Sequence, residues 1–82
     1  RKGNKGTEFM HGILHAINNH LEIEIVHQSF WKDSPETRIL QPIAIKESQN
    51  RWYLICFDAF KNDFRNFGID RIQTLEITNK KL

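Results

Sequence analysis

Cysteine occurs once in this sequence, at Cys56; methionine is equally rare, and there are only two prolines and four glycines. A single thiol excludes an internal disulfide framework and a cysteine-rich zinc site. The chain must fold on apolar burial, and a reducing, cytoplasmic setting suits it. No apolar run approaches the roughly 18 residues that span a bilayer, and no signal-peptide pattern opens the chain, so no membrane partner is expected. Charge of neither sign dominates: 12 Lys and Arg face 10 Asp and Glu, a formal +2. That total does not by itself argue for nucleic acid; only the placement of the cations could.

What is present is 82 residues, 39% hydrophobic and 27% charged, the composition of one small globular domain. At about 0.05–0.15 kcal/mol per residue its stability should be on the order of 4–12 kcal/mol. Arg1 to Gly6 carry charge and glycine but no apolar residue, and read as a flexible linker remnant ahead of a domain over residues 7–82. No internal repeat follows.

Thr7 is a candidate helix cap, and Met10, Ile13, Leu14, Ile17 and Leu21 recur at helical spacing until Asn18 and Asn19 weaken the helix near His20. From Leu21 the period becomes two: Leu21, Ile23 and Ile25 alternate with Glu22 and Glu24 on an apparently exposed face. A polar loop runs from Lys32 to Glu36. Arg38 to Ile45 forms a second strand, with Ile39, Ile43 and Ile45 on one face. Pro42 places that strand on an edge or bends it. Ser48 to Asn50 turns the chain into Trp52–Phe57, apolar on both faces and the expected central strand. Lys61 and Asn62 turn it again into Phe64–Ile69. In the last strand, Ile72–Ile77, the parity of Ile72 against Leu75 and Ile77 predicts a bulge near Gln73. One helix before about five short antiparallel strands implies a mainly β domain, a small curled sheet or partly open barrel.

No catalytic constellation emerges. Ser29 and Ser34 lack a glycine-rich elbow, and Cys56 lies mid-strand as core filling. His11 and His15 stand four apart on the helix, but without further ligands they suit a solvated face better than a metal. No enzyme activity, metal or cofactor is expected. The arginines carry more. Arg65 shares strand parity with Phe67 and Ile69, so its guanidinium must reach a barrel mouth, because burying it unpaired is prohibitive. Arg71 follows Asp70, and a simple Arg–Asp stitch between strand ends is the structural alternative. With Arg38 they would form a cluster of planar forks suited to phosphate oxygens. Trp52 and Tyr53 point to opposite faces; Trp52 reads as core, while the Tyr53 hydroxyl needs a polar partner and could face a ligand.

Trp52-Tyr53-Leu54, Arg38-x-x-x-Pro42 before it, and Arg65-x-Phe67 with Asp70-Arg71-Ile72 after it together resemble the WYL domain family, over nearly everything from Phe9 to Thr78. The resemblance implies a five-stranded SH3/Sm-like antiparallel barrel with one N-terminal helix. It also implies a ligand-sensing role in bacterial transcription regulators, behind an upstream helix-turn-helix DNA-binding domain, with a nucleotide or single-stranded nucleic acid as ligand. Many members place an aromatic, commonly tyrosine, where His27 stands, which alters one wall of any inherited pocket. The expectation is that Arg38, Arg65 and Arg71 grip a phosphate-bearing ligand, with His27 and Tyr53 shaping its pocket. The rival is a dimerisation or protein-interaction module, a homodimer being one form of it, without a small ligand. General RNA binding is a third and predicts a wider basic surface.

Overall fold

Helical spacing gives way to alternation at Leu21, and the backbone follows. A computed structural model describes residues 7–82; the expected linker remnant lies outside the described residues. A short 3-10 turn, Thr7–Phe9, leads into helix α1, Met10–Asn19. Phe9 occupies the cap position without a side-chain cap bond, so Thr7 opens the turn rather than capping α1. His20 ends the helix in the left-handed region, at φ 55°. Ile13 and Ala16 are its fully buried residues, with Met10 and Ile17 packed beside them. Leu14, expected in the stripe, is 44% exposed; Ala16 takes its place because α1 lies close to the sheet. Gly12 permits that approach, since a β-carbon there would sit 2.8 Å from Leu75 Cδ2.

The strands are β1 (Leu21–His27), β2 (Glu36–Ser48), β3 (Arg51–Asp58), β4 (Asp63–Gly68) and β5 (Ile72–Lys81). All pair antiparallel in the order β4-β3-β2-β1-β5. The central strand is therefore β2, not the Trp52–Phe57 segment, which is interior but one place removed. The first half of β2 pairs with β1 and the second half with β3, and the change of partner falls between Leu40 and Gln41, just before Pro42. Pro42 faces Cys56 and Ala44 faces Ile55, which leaves Ile43 as the extra residue of a bulge. The bulge explains why Leu40 and Pro42 are buried while Ile43, expected on the core face, is 44% exposed. A second bulge falls at Gln73, between the pairs Val26–Thr74 and His27–Ile72, as the parity of Ile72 predicts. Gln49, Asn50 and Asn62 take positive φ in the two predicted turns.

The ladder does not close. β4 and β5 are its two ends, linked through the 3-10 turn Ile69–Arg71. So short a link holds the ends of the bent sheet near each other covalently, without the strand pairing a closed barrel requires. The expected barrel is thus an open five-stranded sheet with one helix on it. Ile13, Ile23, Ile25 and Leu54 form the centre of the core beneath α1. Trp52, read as core, is 41% exposed, because α1 covers β1, β2 and β5 and leaves the start of β3 in solvent. Glu22 also departs from expectation: it is half-buried and accepts a hydrogen bond from Thr78 Oγ1 at 2.7 Å. Among the described residues, no helix is long and apolar enough to cross a membrane.

Ile25→Ala should cost about 2–5 kcal/mol in urea denaturation, because the packed sheet cannot collapse around the void. Leu14→Ala, on the exposed side of the same core, should stay within about 0.5 kcal/mol.

Candidate functional site

A cleft of about 560 Å³ opens among β1 to β4 and the turns beside them. Its walls come from the end of β1 (His27), the loop from Ser29 to Lys32, the start of β2 (Glu36, Arg38), the start of β3 (Arg51, Tyr53), β4 from Arg65 to Gly68, and Arg71. All five residues singled out in the sequence, His27, Arg38, Tyr53, Arg65 and Arg71, line this one cleft. Five cations and a single carboxylate line it, and two of those cations, Arg38 and Arg51, are paired with Asp58 and Asp70 outside its walls.

The arginines divide by what holds them. Arg38 is 17% exposed, and its Nη1 donates to Asp58 Oδ2 at 3.0 Å while Nη2 donates to Glu36 Oε1 at 3.3 Å. Asp58, only 2% exposed, uses its other oxygen to accept the N–H groups of Phe60 and Lys61, at 3.0 and 3.2 Å. One carboxylate thus fixes the β3–β4 turn and the Arg38 fork together. Burial opposes the charge on Asp58, but the Lys61 N–H, Arg38 and the Phe60 N–H outweigh it and hold the carboxyl below its ordinary value. Glu36 is lowered by its hydrogen bonds to Lys32, at 2.9 Å, and to Arg38.

Arg51 takes the carboxylate that sequence adjacency offers to Arg71. Its Nε and Nη2 donate to the two oxygens of Asp70 at 2.9 and 2.6 Å, a two-point fork that lowers the Asp70 carboxyl. The fork lies across Gly68, where a β-carbon would come within 2.5 Å of Arg51 Nη2. Arg51 Nη1 also donates to the Tyr53 hydroxyl at 3.3 Å, with the guanidinium 5.2 Å from the Tyr53 ring centroid. The expected Asp70–Arg71 stitch is therefore an Asp70–Arg51 fork.

Arg65 and Arg71 make no salt bridge among the described residues. Arg71 rests 4.6 Å from the centroid of Phe30. Arg65 lies half-buried on the inward parity of β4, and its Nε has no hydrogen-bond partner. His27 Nε2 is likewise buried without a partner, 3.7 Å from Glu36 Oε1. These are the two such side-chain atoms among the described residues, and both belong to residues of the same cleft. The His27 ring packs edge-on against Phe67 at 4.5 Å; burial first and Arg38 second push its pKa below 6.5, so it is neutral at pH 7.

Sequence reading missed Phe30 and Trp31, although two adjacent aromatics in the otherwise polar loop Gln28–Lys32 were a visible signal. It also missed the parts played by Arg51 and Asp58, whose partners lie 19 and 20 residues away. His11 and His15 sit exposed on α1, away from the cleft, with His15 Nδ1 3.2 Å from Asn19 Nδ2. Cys56 is fully buried, and burial pushes its thiol up to about 12.

The fold is an open antiparallel sheet with one N-terminal helix and a cleft lined by cations, and the sequence assigns it to a family of regulatory domains. The sequence model of the WYL domain family matches residues 8–77, and the chain belongs to that family. WYL domains are regulatory domains of transcription regulators, which also carry DNA-binding domains. Among solved structures, the chain is similar in fold to proteasome accessory factor B/C (PafBC) of Arthrobacter aurescens, with a TM-score of 0.86 at 21% identity. The match takes in 99% of this chain and 13% of that one. A comparison with curated proteins finds no match.

Arg38→Ala should cost about 3–5 kcal/mol, because it strands the buried Asp58 carboxylate. Arg65→Ala, which breaks no ion pair, should cost under about 1 kcal/mol in the same urea titration. Stability should also respond to acid in two stages. Below pH 6.5 the unfolded chain binds a proton at residue 27 more readily than buried His27 does, so stability begins to fall. It falls again below the ordinary carboxyl value of 3.8, as Asp58 and Asp70 are titrated through their lowered folded-state values. His27→Phe should abolish the upper stage and keep the lower one.

Proposed function

We propose that this domain senses a phosphate-bearing ligand, a nucleotide or a single-stranded nucleic acid, within a bacterial, cytoplasmic transcription regulator. Arg65 and Arg71 make the direct contacts to phosphate oxygens. Arg38, held by Asp58 and Glu36, adds positive potential and fixes one wall. His27 closes the floor, and the Tyr53 hydroxyl, whose oxygen already accepts from Arg51, offers its proton to the ligand.

One observation carries the reading: the partnerless buried atoms Arg65 Nε and His27 Nε2 belong to residues lining a single cleft. A buried donor left unsatisfied costs about 1–3 kcal/mol, more when charged, and such groups are rare in the absence of a function. Guanidinium Nε–H can only donate, so its missing partner is an acceptor, and phosphate oxygens match the fork. Arg65 stands on β4, at one end of the ladder, and Arg71 in the turn that leads to β5, at the other. An anion held by both bridges the opening and favours the tighter state of the sheet, which is how occupancy reaches a DNA-binding domain in the longer protein.

Fluorescence titration with nucleotides and single-stranded oligonucleotides tests this. Arg65→Ala and Arg71→Ala should each weaken binding about ten-fold or more, the worth of a charged hydrogen bond. Each should flatten the log–log salt slope by about 0.7 on a single strand. Equal binding by wild type and both variants, or none by any of them, contradicts the proposal.

A second reading, dimerisation, is favoured by the open ladder, whose end strands β4 and β5 each pair on one side only. A firm dimer in light scattering, abolished by Arg65→Ala, would replace the ligand with a second copy of the chain.

A further inference from the structure

Phe30 and Trp31 are 72% and 88% exposed, side by side on the rim of the cleft. Single exposed hydrophobics are ordinary, but two adjoining aromatic rings beside a guanidinium that makes no salt bridge among the described residues form an exposed patch of the kind that marks interaction sites. Their rings meet edge to face at 5.6 Å, with Arg71 placed 4.6 Å from Phe30. Beyond them lies a second cleft of about 600 Å³. It shares Ser29, Phe30, Lys32 and Arg71 with the first and continues to Gln28 and Gln73, whose carboxamides are bonded at 3.3 Å. Its charges balance, Glu8 and Asp70 against Lys32 and Arg71, so it is polar without being an anion trap. Phe30 and Arg71 thus belong to a ridge with an anion-attracting cleft on one side and a neutral polar cleft on the other.

We propose that Phe30 and Trp31 are a stacking platform for an unpaired base of a single-stranded nucleic acid whose backbone crosses the ridge at Arg71. The arginines then supply affinity for the polyanion, and the ring pair supplies the preference for one that bears accessible bases. This rests on the reading of the cleft as a phosphate site and adds the selectivity. A base in a duplex already has its faces covered, and bare phosphate has no face to offer. A mononucleotide fills one side of the ridge, whereas a strand continues into both clefts. Stacking tolerates any base, so the platform selects unpaired strands rather than a sequence.

The test compares a fluorescein-labelled oligothymidylate with an abasic strand of equal length and with a duplex. Wild type should bind oligothymidylate most tightly. Phe30→Ala and Trp31→Ala should each weaken it about ten-fold and leave the abasic strand unchanged. Both side chains are exposed, so urea midpoints should not move. Phe60→Ala, which removes an 80%-exposed ring outside both clefts, should change nothing. Arg65→Ala, run alongside, should weaken both strands, which keeps the two claims separate. If the aromatic variants bind oligothymidylate like wild type, or lose both strands alike, the platform is refuted while the phosphate site stands on its arginine dependence. Tighter binding of duplex refutes the selectivity, and no binding of any strand by wild type refutes the platform, while the nucleotide titration decides the phosphate site separately.

Discussion

The carboxylate of Asp58 is the constraint on which the cleft depends. It is buried at the end of β3, and it is satisfied from two directions: the backbone of the β3–β4 turn and the guanidinium of Arg38 on β2. From Arg38 the chain of charges continues through Glu36 to Lys32, in the middle of the β1–β2 loop. A single desolvated charge thereby fixes the relative positions of a turn, a strand and a loop. Such a network is worth little as net stabilisation, since desolvation offsets most of the Coulombic gain, but it specifies geometry.

The same network decides which cations remain for other work. Arg38 is consumed by Asp58 and Glu36, and Arg51 by Asp70. Arg65 and Arg71 are left, one half-buried with an unbonded Nε and one resting on an aromatic ring. A cluster of five cations around one carboxylate would repel itself and splay if nothing anchored it. The pairs at Arg38 and Arg51 neutralise two members, while Arg65 on β4 and Arg71 in the turn before β5 line the same cleft without a salt bridge among the described residues.

Much of this was legible in the sequence because it depends on local period and turn chemistry. Alternation located the strands and the off-parity Ile72 located the bulge at Gln73; the inward parity of Arg65 anticipated its half-buried place on β4, but its Nε is buried without a partner rather than carried out to a barrel mouth. The failures share a different cause. Leu14, Ile43 and Trp52 have the right residue type for a core, but their burial depends on where α1 ends its cover and on a bulge beside Pro42, which are tertiary facts. The ion-pair partners were equally hidden. Adjacency suggested Asp70 with Arg71, whereas the sheet brings Arg51 across Gly68 to take that carboxylate. Phe30 and Trp31 were overlooked because a loop offers no period against which an aromatic stands out.

The central claim is that Arg65 and Arg71 are free to meet an anion while Arg38 is not. Nitrogen-detected NMR of the arginine Nε–H groups, recorded as a single-stranded oligonucleotide is added, addresses it directly. The account predicts that the Arg65 and Arg71 signals shift and exchange more slowly with water, while the Arg38 signal, held on Asp58, stays in place. Shifts confined to Arg38, or no arginine shift while the strand binds elsewhere, would contradict it.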